Sequence, residues 1–252
     1  MAQSPEIDYS SDPRVTGKYV RRVPGGPGEL TLVGVVHDHP SSTYRVRRVV
    51  EELDPDVLAL ELPPISIPLF ERYAATDRRP PAFGGEMSAA IQAAAPDTAV
   101  GIDRPTGGFF RRLGRRLLAE RPSLETARTV LLNVVSTTKH ALACRAAAAL
   151  ACRTSIQLAV DSPQTHDIDW TDSPADQARD EREQVSRSRS FANAFRTASR
   201  TRAAQLEDAA REAEMATQLA ALRADGTVVA VVGIDHLDSL RDRLDPTATV
   251  TR

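Results

Sequence analysis

Lysine is nearly absent from this 252-residue chain: Lys18 and Lys139 are the only two, so arginine supplies 30 of the 32 basic side chains. That is a bias of composition, and no mechanism is read from it. Aromatic residues make up 4%, too few for the stacking platforms that single-stranded nucleic acid needs. The two cysteines, Cys144 and Cys152, lie eight positions apart in a helix-like stretch. That spacing separates their Cα atoms by about 12 Å, against the roughly 7 Å limit for a disulfide, so reduced thiols are expected. Residues 1–28 contain no apolar core of signal-peptide length. The longest uncharged apolar stretch, Thr129 to Thr138, falls well short of a membrane span. A soluble, cytoplasmic protein without a transmembrane segment is expected. Nor is there a block of like charge: 34 acidic residues against 32 basic give a net charge of -2, which argues against a nucleic-acid partner. The hydrophobic content of 41% excludes a disordered chain.

What is present alternates between strand and helix signals. Tyr19 to Val23, a Pro-Gly-rich turn at Pro24–Gly28, and Leu30 to Val36 predict two strands, the second buried on both faces. Ser41 or Ser42 is expected to cap a helix from Thr43 to Leu53, whose Val46, Val49, Val50 and Leu53 recur at helical spacing. Val57 to Leu62 predicts a strand, followed by a helix near Ile67 to Thr76. An Ala-rich helix from Met87 to Ala95 and a short strand from Ala99 to Ile102 come next. Thr227 to Val232 is the last strand, with a terminal helix from Leu237. The expected fold is α/β: a mixed, largely parallel sheet with flanking helices and a long helical insertion before the last core strand. The expected division is a flexible tail over 1–17 and one domain over 18–252. Its sheet core spans 18–110 and 226–252, and the insertion spans 111–225. The five aspartates between Asp161 and Asp176, with Trp170 among them, read as an exposed connector. The Ala-rich stretch Ser123 to Val160 is apolar on more than one face, as either buried packing or a homodimer seam requires.

The chemistry concentrates at strand ends. Gly34-Val35-Val36-His37 sets a histidine after the first core strand, and Gly233-Ile234-Asp235-His236 sets another after the last. Glu61 ends the second strand and Asp103 follows the third. Ligands of open parallel sheets bind beyond the carboxyl ends of the strands, so four strand ends carrying His, Glu, Asp and His predict a site there. The glycines would let backbone approach a neighbour closely. His37, His236 and Glu61 are candidate ligands of a divalent cation such as zinc, manganese, cobalt or iron, which would activate water for hydrolysis. A metal-free alternative makes one histidine a general base oriented by Glu61. His39 is a weaker third ligand, and Asp235 a supporting residue. Arg104 would clamp a carboxylate or phosphate, or else pair with Glu61 or Glu86. His140 and His166 read as structural. Arg111, Arg112, Arg115 and Arg116 read as a solvated helix face.

The stretches LTLVGVVHDHPSSTYRVRRVVEELDPDVLALEL, FGGEMSAAIQAAAPDTAVGIDRPTGGFFRRL and REAEMATQLAALRADGTVVAVVGIDHL resemble the TraB/PrgY family. That family shares a superfamily with the Tiki metalloproteases, GumN proteins, erythromycin esterases and haem-binding ChaN group. The resemblance implies a Tiki-like metal-dependent hydrolase cleaving a peptide or amide bond, with a peptide or small molecule as substrate. His37 and His236 match the family's paired G-x-x-H histidines and Glu61 its strand-end glutamate. Glu86 matches the acidic residue of its G-x-E helix start and Asp103-Arg104 its D-R pair. Arg211-Glu212 with Met215-Ala216 matches its late helix. Glu61, Glu86 and Asp103 are thereby expected to be catalytic, and Arg104 and Arg211 to bind substrate. The related branches also imply an alternative, a non-catalytic binder of a peptide signal or of haem. Ser66 stands where the family has arginine, Ser239 where it has glycine, and Val35 where it has threonine.

Overall fold

The computed structural model describes residues 11–151, 164–195, 202–224 and 226–245. Cys152, and the Ala-rich stretch beyond Ala151, lie outside the described residues. Five strands form one sheet: β1 (Val20–Val23), β2 (Leu30–Val35), β3 (Val57–Leu60), β4 (Ala99–Gly101) and β5 (Val228–Gly233). Their spatial order is β1-β2-β5-β3-β4. β1 runs antiparallel to β2 and every other pairing is parallel, so the fold is α/β as expected. β5, the last strand in sequence, lies at the centre between β2 and β3. The two histidine-bearing strand ends are therefore neighbours, with Val35 paired to Gly233.

Every residue of β2 and β5 is buried, which is why both read as unbroken apolar runs. One face of the sheet carries Val33, Val35, Val229 and Val231 against α1 (Pro40–Leu53) and α3 (Gly85–Ala93), through Val46, Val49, Val50, Met87 and Ala90. The other face carries Leu32, Ala230 and Val232 against α7 (Arg202–Leu222) and α8 (Ile234–Leu244). Gly34 belongs to this packing: a Cβ there would stand 2.8 Å from a Leu237 methyl of α8. Gly233 has no such need, since its Cβ would meet nothing closer than 3.5 Å.

The insertion begins with α4 (Gly107–Glu120), α5 (Leu124–Ala151) and α6 (Pro174–Phe195) before α7. α4, α5 and α7 share an apolar cluster of Phe109, Leu113, Val130, Leu206 and Ala210. Farther along, α5 packs Cys144, Ala147 and Ala148 on Leu69 and Tyr73 of α2 (Ile67–Ala74). Its outer side leaves Leu131, Leu132 and Leu142 more than half exposed, so one face is packed and another is open. No helix among the described residues is long and apolar enough to cross a membrane.

α6 is attached differently. Of its described inward positions, Gln177 and Glu181 are polar and Ala178 and Val185 apolar, and Glu181 meets the amino end of α1. Glu181 accepts the hydroxyls of Ser41 (3.1 Å) and Ser42 (2.5 Å) and pairs with fully buried Arg45. This corrects the expected cap. His39 is the N-cap of α1, its Nδ1 accepting the Ser41 N–H, while both serine hydroxyls are committed to Glu181. The tail reading also fails over residues 11–17. Val15 is 2% exposed, and the Arg14 carbonyl accepts from Arg45.

Candidate functional site

Because parallel strands end on the same side, the turns after β2, β3 and β5 open into one cavity of about 460 Å³. His37, Glu61, Arg211 and His236 line it, with Gln164, Gln184 and Val185 arriving from the insertion. Asp103, after β4, enters through Arg211, whose guanidinium grips both its carboxylate oxygens at 2.6 and 2.7 Å. The same guanidinium bonds Glu61 and places Nη1 3.0 Å from His236 Nε2. Glu61 is fixed from its other oxygen by the Gly233 backbone N–H at 2.6 Å. Arg211 is thus the centre of the cluster. Burial disfavours its charge, but Glu61 and Asp103 outweigh that and raise its pKa further.

Each strand-end histidine has its own carboxylate. His37 Nδ1 is 2.7 Å from Glu86 Oε1, and the other oxygen of Glu86 accepts the Asp38 backbone N–H at 2.9 Å. Glu86 stands in the first turn of α3, buried to 2% exposure, where the helix amino end favours its charge. The Glu86 hydrogen bond, opposed by burial, raises the His37 pKa from 6.5 to about 9. The ring keeps half its side-chain surface exposed to the cavity. With Nδ1 engaged, Nε2 is the ring nitrogen left for chemistry. His236 Nδ1 lies 3.1 Å from Glu212, which also accepts the Ser239 hydroxyl at 2.5 Å. Burial lowers the His236 pKa, but Glu212 and Glu61 raise it more. Unprotonated, Nε2 accepts from Arg211; protonated, it faces Glu61 Oε1 at 3.6 Å.

The expected residues divide accordingly. His37, His236, Glu61, Asp103, Glu86 and Arg211 are brought together. The orienting carboxylates, however, are Glu86 and Glu212, whereas Glu61 is spoken for by Arg211 and Gly233. Arg104 turns away to Glu207 at 2.7 Å, beside Asn133 on the same carboxylate, and pairs with neither Glu61 nor Glu86. His39 is fully buried, with Nε2 on Asp180 at 3.1 Å and a pKa lowered chiefly by burial. His166, read as structural, reaches the site: Nε2 meets the His37 carbonyl at 2.9 Å, and Gln184 holds Nδ1 at 3.0 Å. Only its place in an aspartate-rich connector could have signalled this, and that signal points to solvent. Of the arginine face on α4, Arg112 bonds Glu214 at 2.8 Å and Arg116 bonds Glu120 at 3.2 Å.

Both histidines have the carboxylate-anchored outer nitrogen typical of metal ligands. A divalent ion held by Glu61 and His236 would nonetheless lie against the Arg211 guanidinium, which takes the lone pairs it needs. Among the described residues no group of three His, Cys, Asp or Glu side chains is disposed to hold a metal. The residues as arranged do not fit the expected ion. Comparison with protein-family models, curated proteins and solved structures finds no match to this chain.

Proposed function

We propose that the chain is a hydrolase of ester or amide bonds that works without a metal, with His37 as its proton-transfer group. The observation that carries this is the His37–Glu86 pair, with Nδ1 locked at 2.7 Å and the ring half exposed in the cavity. In this reading Nε2 takes a proton from water as its oxygen adds to the carbonyl carbon. The same proton passes to the departing alkoxide or amine as the C–O or C–N bond breaks. Arg211 has five N–H donors, and four are used on Asp103 (two), Glu61 and His236. The fifth supplies positive charge for the developing oxyanion. Glu86 is a positioning residue. Kinship with the TraB/PrgY family belongs to the same proposal, as does turnover despite Ser239, which here steadies Glu212.

The test uses a nitrophenyl ester and a fluorogenic peptide amide. His37→Ala lowers kcat/KM by about 10²–10⁴-fold, and dialysis against a chelator leaves the wild type unchanged. kcat/KM rises with pH toward about 9, where His37 loses its proton, and in Glu86→Gln that limb moves to lower pH. Loss of activity on chelation, or His37→Ala equal to wild type, overturns the proposal.

A further inference from the structure

A second cavity, of about 350 Å³, adjoins the first. Gln164 lines both, and its backbone N–H bonds Asp38 Oδ2 at 2.9 Å, so this pair forms the partition beside His37. On the far side stand Arg78, Arg79, Pro80, Pro81 and Trp170. Both arginines are exposed, and neither is paired with a carboxylate among the described residues. Arg78 and Arg79 thus present two guanidiniums to one concavity. Asp38 is the single acidic residue of that lining, outnumbered by two positive charges.

Trp170 is 46% exposed, yet its loop is ordered by Asp169, which accepts the Thr171 N–H at 2.6 Å, and by Asp172, which accepts the Asp169 N–H at 2.8 Å. A half-exposed indole in the same lining as Pro80 and Pro81 offers a flat apolar wall. Guanidiniums add paired N–H donors for two oxygens of an oxyanion. We propose that this second cavity is a binding subsite for a flat apolar group bearing an oxyanion, carboxylate or phosphate. Resting on the hydrolase reading, it holds the part of the substrate remote from the bond cleaved. Gln164 borders both spaces, so a group seated in the second lies next to the first.

Trp170 is the sole tryptophan of the chain, so its emission reports on this cavity alone. Benzoate, phenyl phosphate and neutral benzamide are titrated into the whole protein. A saturable emission change is expected with an anion, at least about tenfold tighter than with benzamide and weakened by salt. A response to benzoate alone marks a carboxylate subsite, and one to phenyl phosphate alone a phosphate subsite. Arg78→Gln with Arg79→Gln loses the preference, whereas the double lysine variant keeps part of it. Equal response to benzoate, phenyl phosphate and benzamide, or full anion preference in the glutamine variant, overturns the subsite. The two proposals fail separately: anion binding without turnover of any ester or amide refutes the hydrolase alone, and turnover without anion preference refutes the subsite alone.

Discussion

Replacing Arg45 by methionine tests how the insertion is held to the sheet domain. Arg45 is fully buried, pairs with Glu181 at 1% exposure, and donates to the Gly34 and Arg14 carbonyls at 2.7 and 2.8 Å. Methionine keeps most of the volume but leaves Glu181 with only the Ser41 and Ser42 hydroxyls. Removing one partner of a buried pair costs about 3–5 kcal/mol, because a desolvated charge is left behind. Glu181→Leu strands the guanidinium and is expected to cost a similar amount. The double variant leaves no unpaired charge, only hydroxyls and carbonyls short of a partner, which costs about 1–3 kcal/mol. The double-mutant cycle in urea at neutral pH should therefore show strong non-additivity, with the double variant more stable than either single. Amide exchange across α6 should accelerate first in the single variants, since Glu181 ties that helix to α1 through Ser41, Ser42 and Arg45. Single variants each costing under about 1 kcal/mol, or strictly additive costs, would refute the reasoning.

Two further outcomes follow from the site. The His37 pKa is raised from 6.5 to about 9, so its contribution to stability is complete below pH 6.5 and is lost as pH rises through about 9. At face value that is about 3 kcal/mol, but the half-exposed ring is screened and about 1 kcal/mol is expected. Unfolding measured from pH 6 to 10 should show this slope, and Glu86→Gln should flatten it. Arg211→Met strips the guanidinium from Glu61 and Asp103 and should cost about 3–5 kcal/mol at neutral pH. Arg211→Lys keeps one positive charge beside the two carboxylates and should lose less, and an equal loss in both variants would count against the pairing.

The alternation of apolar strands and amphipathic helices determined the sheet, its parallel character and the shared location of His37, Glu61, Asp103 and His236. Those features are local, since burial on both faces writes an unbroken apolar run and a strand end fixes where the next side chain emerges. The tertiary structure decided what each group touches. β5 lies between β2 and β3 although more than a hundred residues separate it from either in sequence, and no local pattern encodes that position. The insertion brings Arg211 from α7 onto Glu61 and Asp103, which turns an apparent set of metal ligands into an ion-pair cluster. It also brings Glu212 to His236, leaving Glu86 rather than Glu61 as the partner of His37. The inward face of α6 was not legible because half of its described buried positions, Gln177 and Glu181, are polar beside Ala178 and Val185. Periodicity records which faces avoid water, whereas the pairing of one charge with another is set only when distant segments meet.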